Sequence, residues 1–573
     1  MPSLPSAPVP PAPGRSGVAT APGHRDRTGG EALVAALAAH GADLAFGIPG
    51  THNLEIYRHL AAYGIRHVAP RHEQGAGYAA DGYARASGRP GIAITTTGPA
   101  LMNIAAAVGQ AYSDSVPLLV VSPGMPLRHP RLATGLLHEM PSQSGAFGQL
   151  TAFSHRVASV PEIGAAVARA FTRFRTGRPR PVHIEVPLDL LTAAEPAGPP
   201  PLAPVTLPVR PRPEAVQAAA EALGRARRPA LVLGGGAHGA GAEALALAER
   251  LGAPVATTAN GKGVFPESHP LALGVRLHTP AVRKWLADSD AVLAVGTELA
   301  ESDLWSAPPL LGGTLIRADI DPAQMYAVLP ADIALVGEAQ ETLRGLLDAL
   351  GQGRAARSRQ AGAAAAVRAA AGAATGEREA ARLPFLAALR SVLPPATVLT
   401  SDSAQCCYYG ALPHLPVDPP GRYLHPTGFG TLGYALPAAI GVKAARPDRP
   451  VVALSGDGGL QFTVQELATA VDLGLPLPVV VFDNGGYGEI RDEMAARGDA
   501  PVAVDHPRLD LGALARAYGG HGVRADTPGA LADALRTALT VPGPTVITVP
   551  EPQVPEPTAE PTEPAEPAEE TAP

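Results

Sequence analysis

The chain has little cysteine: its 573 residues include only two, the neighbours Cys406 and Cys407. Adjacent cysteines give no disulfide framework, which favours a cytoplasmic protein and predicts that both are small core or wall residues. No run of about 18 or more apolar residues occurs, so neither a transmembrane helix nor a membrane partner is expected. The net charge of −7 is mild and no basic cluster stands out, which argues against nucleic acid as a partner.

Composition divides the chain into segments. Residues 1–27 are rich in Pro and Ala without a contiguous apolar core, and 551–573 repeat Pro, Glu, Ala and Thr, so both ends are predicted to be disordered. A Pro-rich break at 196–201 and an Ala/Arg-rich linker at 351–379 separate the rest. Three α/β domains are therefore predicted, at 28–195, 202–350 and 380–550.

Two glycine-rich loops near the C-terminus each follow an apolar, strand-like run. Asp457 lies in the first loop and Asn484 in the second, with a helix-like segment between them. A strand–helix–strand unit places both side chains at the carboxyl ends of neighbouring parallel strands, where open α/β sheets bind ligands. Their oxygens suit Mg²⁺, and the glycines let backbone N–H groups approach a phosphate. The sequence predicts a metal–diphosphate site; two ordinary glycine-rich loops are the alternative.

These loops resemble the signature of thiamine-diphosphate-dependent enzymes, and their surroundings resemble the acetolactate synthase and 2-oxo acid decarboxylase superfamily. The similarity extends from about Gly30 to about Val549. It implies an α/β fold of three Rossmann-like or flavodoxin-like domains with parallel sheets, which are pyrimidine-binding, central and diphosphate-binding. It also implies thiamine diphosphate and Mg²⁺ as cofactors. The implied metal ligands are Asp457, Asn484 and the carbonyl of Gly486.

The resemblance also implies a catalytic glutamate, Glu73, within Pro70–Ala76. In this family the glutamate contacts the aminopyrimidine of the cofactor and activates it, and the cofactor then accepts electrons as CO₂ leaves. A helix-dipole residue in a first turn is the alternative for Glu73.

The resemblance implies further cofactor contacts at individual positions. Gly430 would hold the pyrimidine amino group, and Leu432 would support the bent cofactor, a role compatible with a packed core leucine. Ser403 and Gln405 would form the opposite wall of the diphosphate site, with a solvated turn as the alternative. The remaining implied contacts are Gly456, Gly458, Gly459, Gly488 and Glu489.

Neither the first nor the third domain holds a complete set of these residues. In the family, the site forms between the first domain of one subunit and the third domain of another. The resemblance therefore implies a homodimer or homotetramer with active sites at the subunit interface.

The middle segment carries a G-x-G-x-x-G pattern, Gly234–Gly239, after an apolar strand. Alone, it would favour a nicotinamide-dependent oxidoreductase, but the acidic residue expected about 20 positions later is replaced by Pro254–Thr258. Acetolactate synthases bind FAD here with an arginine motif, and this chain has Val295–Asp303 instead. FAD is therefore doubtful.

Departures near the reacting centre resemble a branch of the family, the 5-guanidino-2-oxopentanoate (2-ketoarginine) decarboxylases. His138 replaces a glutamine and is a candidate substrate contact that could relay a proton, with an ordinary loop histidine as the equal alternative. Glu493 replaces a substrate-selecting tryptophan. With Glu489, it would favour a cationic substrate, although a solvated helix face is an equal alternative. The expected reaction is non-oxidative decarboxylation of a small 2-oxo acid to an aldehyde. Acetolactate synthesis and a catalytically silent homologue are the other two readings.

Overall fold

The computed structural model describes residues 25–129, 133–351 and 357–551. The predicted disordered ends lie outside these ranges except at residues 25–27 and 551. Three six-stranded parallel sheets organise the described chain, which confirms the predicted α/β fold class.

The first sheet has the strand order β3-β2-β4-β5-β7-β6, and an antiparallel pair, β1 and β8, lies beside it. Strands β5 and β7 are buried along their whole length, as expected for apolar runs covered on both faces. The strands are β1 (Arg25–Thr28), β2 (Leu44–Gly47), β3 (Arg66–Val68), β4 (Gly91–Ile94), β5 (Leu118–Gly124), β6 (Phe153–Arg156), β7 (Val182–Pro187) and β8 (Ala194–Ala197). The helices are α1 (Gly29–Ala39), α2 (Leu54–Leu60), α3 (Glu73–Ser87), α4 (Pro99–Asn103), α5 (Ala105–Ser113), α6 (Gln143–Phe147), α7 (Val160–Arg175) and α8 (Leu188–Thr192).

The second sheet has the order β11-β10-β9-β12-β13-β14. Its strands are β9 (Pro229–Leu233), β10 (Val255–Thr257), β11 (Ala272–Gly274), β12 (Ala291–Val295), β13 (Thr314–Asp319) and β14 (Ile333–Val336). Its helices are α9 (Pro213–Arg225), α10 (Gly241–Leu251), α11 (Pro280–Asp288), α12 (Glu301–Leu304) and α13 (Ala339–Leu350). Helices α14 (Arg357–Ala373) and α15 (Glu377–Val392) then lead to the third sheet.

The third sheet has the order β16-β15-β17-β18-β20-β19. Its strands are β15 (Val398–Ser401), β16 (Arg422–Leu424), β17 (Val451–Gly456), β18 (Leu477–Asp483), β19 (His521–Arg524) and β20 (Pro544–Pro550). Its helices are α16 (Leu412–His414), α17 (Ala435–Ala445), α18 (Asp457–Leu460), α19 (Glu466–Asp472), α20 (Gly488–Ala496), α21 (Leu511–Ala517) and α22 (Pro528–Ala538), with a π-helical turn at Cys406–Ala411.

The first and third sheets are joined through helices α3 and α17, which cross at very short distance. A Cβ atom on Gly441 would lie 1.8 Å from the Ala79 carbonyl oxygen, and one on Gly82 would lie 2.2 Å from the Ala438 carbonyl oxygen. Glycine at both positions therefore permits a contact that no other residue allows. One buried core runs across this contact and includes Tyr78 and Tyr434, whose rings meet edge to face at 5.4 Å. The exact domain boundaries given above stay predictions.

Candidate active site

Asp457 and Asn484 lie side by side at the carboxyl edge of the third sheet. Strands β17 and β18 are paired in parallel, with Gly456 opposite Phe482. Asp457 begins α18 directly after β17, and Asn484 follows β18. Because both strands end at the same level, the Asn484 backbone N–H donates to Asp457 Oδ1 at 3.3 Å. The strand–helix–strand unit expected from the sequence is therefore present.

The side chain of Asn484 turns one amide atom toward two oxygens. That atom lies 3.0 Å from the Gly486 carbonyl oxygen and 3.2 Å from Asp457 Oδ1. As the amide nitrogen it would donate to both; as the amide oxygen it would complete a cluster of three oxygens, which needs a cation at its centre. With the oxygen inward, the nitrogen points at Gln405 Oε1, 3.4 Å away. The donor set of one carboxylate, one amide and one carbonyl thus fits Mg²⁺.

The electrostatics of Asp457 also favour a cation. Burial, followed by the nearby Asp483 carboxylate, raises the pKa of its carboxyl to about 6. Asp483 is buried and accepts the Gly485 N–H at 3.1 Å. Two carboxylates in a poorly solvated pocket repel each other, and a bound divalent ion would relieve that repulsion.

A cavity of about 240 Å³ opens beside these oxygens. It is lined by most of the residues expected to bind the cofactor or metal, namely Ser403, Gln405, Gly430, Leu432, Gly456, Asp457, Gly458, Gly459, Asn484, Gly486, Gly488 and Glu489. Gly488 begins helix α20, and a Cβ there would lie 2.4 Å from Asn484 Nδ2. The cavity therefore combines a helix N-terminus with closely approaching backbone, as a diphosphate requires.

Glu493, the other predicted substrate residue, lies one turn further along α20. Its side chain is 53% exposed, 3.5 Å from Arg497, and it does not line this cavity. Both cysteines are buried and pack in the same core cluster, and Cys406 also lines the cavity.

Glu73 lies at the carboxyl edge of the first sheet, where it begins helix α3. The preceding residue, His72, caps the helix by accepting the Gln74 N–H at 3.1 Å. Glu73 is 9% exposed, and Asn103 Nδ2 donates to its carboxylate at 3.0 Å. The expected strand, loop and helix start are all observed, and one carboxylate oxygen stays available for a ligand.

The loop that carries Glu73 is held by a buried glutamate of the third domain, Glu466, at the start of α19. Its carboxylate accepts the backbone N–H groups of Arg71 and His72 at 3.0 to 3.1 Å. Glu466 is fully buried, and a Cβ on Gly75 would lie 2.3 Å from it. Sequence reasoning missed Glu466, because its partners lie nearly 400 residues away along the chain.

Replacing Glu466 by alanine is expected to destabilise the protein, because two backbone N–H groups would lose their buried acceptor. Each unsatisfied group costs about 1–3 kcal/mol, so the midpoint of thermal unfolding should fall by at least about 4 °C. Asp472→Ala is the matched control, since Asp472 meets the same loop through an ion pair with Arg71 in which the side chains are 60% and 37% exposed. An exposed pair contributes at most about 1 kcal/mol. Equal shifts in the two variants would contradict the assigned role of Glu466.

His138 lies on the same edge of the first sheet but does not contact the cavity. Its Nδ1 atom is 3.1 Å from the Thr97 hydroxyl, and the same hydroxyl is 2.6 Å from His52 Nδ1. Sequence reasoning missed His52, although its place in the loop after β2 was a usable signal.

The cavity residues around Asp457 form one part of the expected site, and Glu73 with His138 forms the other. These two parts, here called half-sites, are separate within one chain. Among the residues that the structure describes, those lining the cavity beside Asp457 all lie between Ser403 and Glu551, so Glu73 and His138 do not reach it. The chemistry expected of Glu73 and the metal ligands requires them on one cofactor.

A larger cavity of about 540 Å³ lies where the three domains meet. Gly235 and Gly236 of the predicted glycine-rich loop line it, together with Arg178 and Glu298, which form an ion pair of 2.5 Å. The doubt about FAD, which comes from the missing arginine motif, stays a prediction.

Comparison with known protein families shows which family this chain belongs to. Three family descriptions match in order: the N-terminal TPP binding domain of thiamine pyrophosphate enzymes at residues 27–146, their central domain at 216–346, and their C-terminal TPP binding domain at 404–549. The chain belongs to the thiamine pyrophosphate enzyme family. The superfamily resemblance seen in the motifs is thereby confirmed.

Among curated relatives, this thiamine pyrophosphate enzyme is 45% identical over 495 residues to the probable 2-ketoarginine decarboxylase AruI of Pseudomonas aeruginosa, covering 86% of this chain and 88% of that protein. It is 32% identical over 554 residues to a probable acetolactate synthase large subunit of Methanocaldococcus jannaschii, covering 89% and 90%. It is 33% identical over 503 residues to the acetolactate synthase large subunit of Corynebacterium glutamicum, covering 81% and 76%. Within the described ranges, no helix is long and apolar enough to span a lipid bilayer.

Proposed function

We propose that this thiamine pyrophosphate enzyme decarboxylates a 2-oxo acid with a cationic side chain, namely 5-guanidino-2-oxopentanoate, to an aldehyde and CO₂. The observation that carries the proposal is the carboxylate of Glu489, which lines the cavity one residue beyond Gly488. The relative named as a probable 2-ketoarginine decarboxylase supports the same substrate.

The surroundings of Glu489 leave its charge available. Tyr409 donates its hydroxyl to Oε1 at 2.7 Å, and Gln405 donates its amide to Oε2 at 3.1 Å. Both partners are neutral, and within the described residues no cation lies within ion-pair distance of Glu489. The same Gln405 amide donates to Asp492 at 2.7 Å, so a second carboxylate adds to the negative charge. A guanidinium fits between such oxygens through charge-assisted hydrogen bonds.

Each half-site then has a distinct task. Asp457, Asn484 and the Gly486 carbonyl would hold Mg²⁺, and the N–H groups at the start of α20 would hold the diphosphate. Thiamine diphosphate, when bound, supplies the electron sink for the pair of electrons left as CO₂ departs. Glu73 would hold the proton at the pyrimidine end of the site, and His138 would donate a proton to carbon, which forms the aldehyde. The reaction needs no oxidant, because CO₂ leaves and one proton takes its place.

The two half-sites would meet between subunits. We infer a homo-oligomer in which the first domain of one chain covers the Asp457 cavity of another. The support is that the described residues lining the cavity all belong to the third domain, while Glu73 and His138 lie elsewhere in the same chain.

The substrate is tested by measuring CO₂ release and identifying the product with 5-guanidino-2-oxopentanoate and with pyruvate, each with Mg²⁺ and thiamine diphosphate. Preference for the guanidino acid with aldehyde formation would support the proposal. Preference for pyruvate with acetolactate as product would make the protein a synthase. Failure to bind the cofactor at all would indicate a catalytically silent homologue.

Replacing Glu489 by glutamine is expected to lower kcat/KM for the guanidino acid by about 10-fold to 100-fold, because a hydrogen bond to a charged group contributes about 1.5–3 kcal/mol. Turnover of pyruvate should change little. Glu493→Gln is the matched control, since Glu493 is four residues further on the same helix but outside the cavity. If Glu493→Gln alone reduced selectivity, the cation site would have to be moved to the exposed face of α20.

A further inference from the structure

The clearest feature not explained so far is a linked pair of histidines on the first domain's half-site. Thr97, which follows β4, is fully buried and lies between them. Its hydroxyl is 2.6 Å from His52 Nδ1 and 3.1 Å from His138 Nδ1. The two rings are 5.5 Å apart and inclined at 73°. They stand on the same sheet edge as Glu73.

The threonine hydroxyl couples the protonation of the two rings. It has one hydrogen, so it can donate to only one Nδ1 atom and must accept from the other, which must carry a proton. Two neutral histidines in this arrangement therefore hold opposite tautomers: one is protonated on Nδ1 and the other on Nε2. Burial, followed by the nearby His138, lowers the pKa of His52, which favours the neutral form of that ring.

The backbone fixes His138 in this arrangement. His138 has a φ of 62°, which a non-glycine residue rarely adopts. Gly98 packs against it, and a Cβ on Gly98 would lie 2.7 Å from the His138 carbonyl oxygen. The Gly98 N–H is itself held by Gln143 Oε1 at 2.6 Å. A strained residue held from several sides is typical of a functional position.

We propose that His52 is a positioning residue that sets the tautomer of His138 through the Thr97 hydroxyl. His52 Nδ1–H donates to Thr97, and Thr97 donates to His138 Nδ1. The proton of His138 therefore stays on Nε2, the nitrogen left free to donate it. The geometry requires only that the two rings hold opposite tautomers; that His138 is the ring protonated on Nε2 rests on the proposed function, in which His138 donates a proton.

The direct test is nuclear magnetic resonance of the full-length protein with ¹⁵N-labelled histidine, with signals assigned from histidine variants. We expect His52 protonated on Nδ1 and His138 on Nε2. Thr97→Val, of nearly the same shape, should return His52 to the Nε2 form, whereas Thr97→Ser should keep both tautomers. His138 protonated on Nδ1, or tautomers unchanged in a folded Thr97→Val, would overturn the proposal.

Turnover provides the second test, with a conservative partner for each variant. Thr97→Val and His52→Leu should slow aldehyde formation by about 10-fold to 100-fold, part of the contribution of a general acid. Thr97→Ser and His52→Asn should stay within about threefold, because serine keeps the hydroxyl and asparagine keeps an N–H donor at the same reach. Equal losses within a pair would refute the role of the hydrogen-bond chain. A wild-type protein that releases no CO₂ would refute the proposed function, and the tautomers would still decide this inference.

Discussion

Replacing Glu73 by glutamine is expected to leave thiamine diphosphate binding intact while lowering kcat for CO₂ release by about 100-fold to 10,000-fold. Glutamine has the same shape and can still accept the Asn103 amide that now bonds Glu73 at 3.0 Å. The start of helix α3 should therefore stay in place. What the variant loses is a carboxyl group that can hold and transfer a proton at the pyrimidine end of the cofactor.

The control must exclude a simple helix-dipole effect of Glu73. Glu162 serves this purpose, because it lies in the first turn of α7 in the same domain and pairs with His155 at 2.6 Å, away from the half-site. Glu162→Gln should turn over substrate like the wild type. Cofactor affinity is measured by titration calorimetry and kcat by CO₂ release. Near-normal turnover in Glu73→Gln would refute its role as the activating acid.

The local parts of the site could be predicted from sequence because each depends on a strand and the loop that follows it. An apolar run ends, a loop begins, and the side chain at the junction must lie at the sheet edge. Asp457, Asn484 and Glu73 follow this rule, and all three lie where it predicts. The same rule indicates His52, because it lies in the loop that follows β2.

Contacts between distant segments could not be predicted in the same way. Glu466 supports the Glu73 loop from nearly 400 residues away, and no local pattern indicates it. Glu489 and Glu493 are four residues apart, so helical spacing places both on one face. What distinguishes them is the start of α20 at Gly488, beside Asn484. It places Glu489 at the cavity and leaves Glu493 beside Arg497.

Replacing Asp457 by asparagine is expected to weaken Mg²⁺ binding by more than about 100-fold and to abolish Mg²⁺-dependent retention of thiamine diphosphate. Asp457 supplies the only formal charge among the three clustered oxygens, since Asn484 and the Gly486 carbonyl are neutral. Losing an outer-shell partner already costs up to about 100-fold in metal affinity, and loss of the charged ligand itself should cost more. The measurement is a Mg²⁺ titration monitored by cofactor binding.

Asp483→Asn is the comparison that separates a ligand from a neighbouring charge. Asp483 accepts the Gly485 N–H, which an asparagine oxygen can also accept, so the loop should keep its shape. Its removal takes away both a repulsion on Asp457 and an attraction for the ion; these effects oppose each other, and Mg²⁺ affinity should change by less than about tenfold. If Asp483→Asn were the more damaging variant, the metal would lie nearer the end of β18 than the oxygen cluster indicates, and Asp483 would replace Asp457 as its charged ligand.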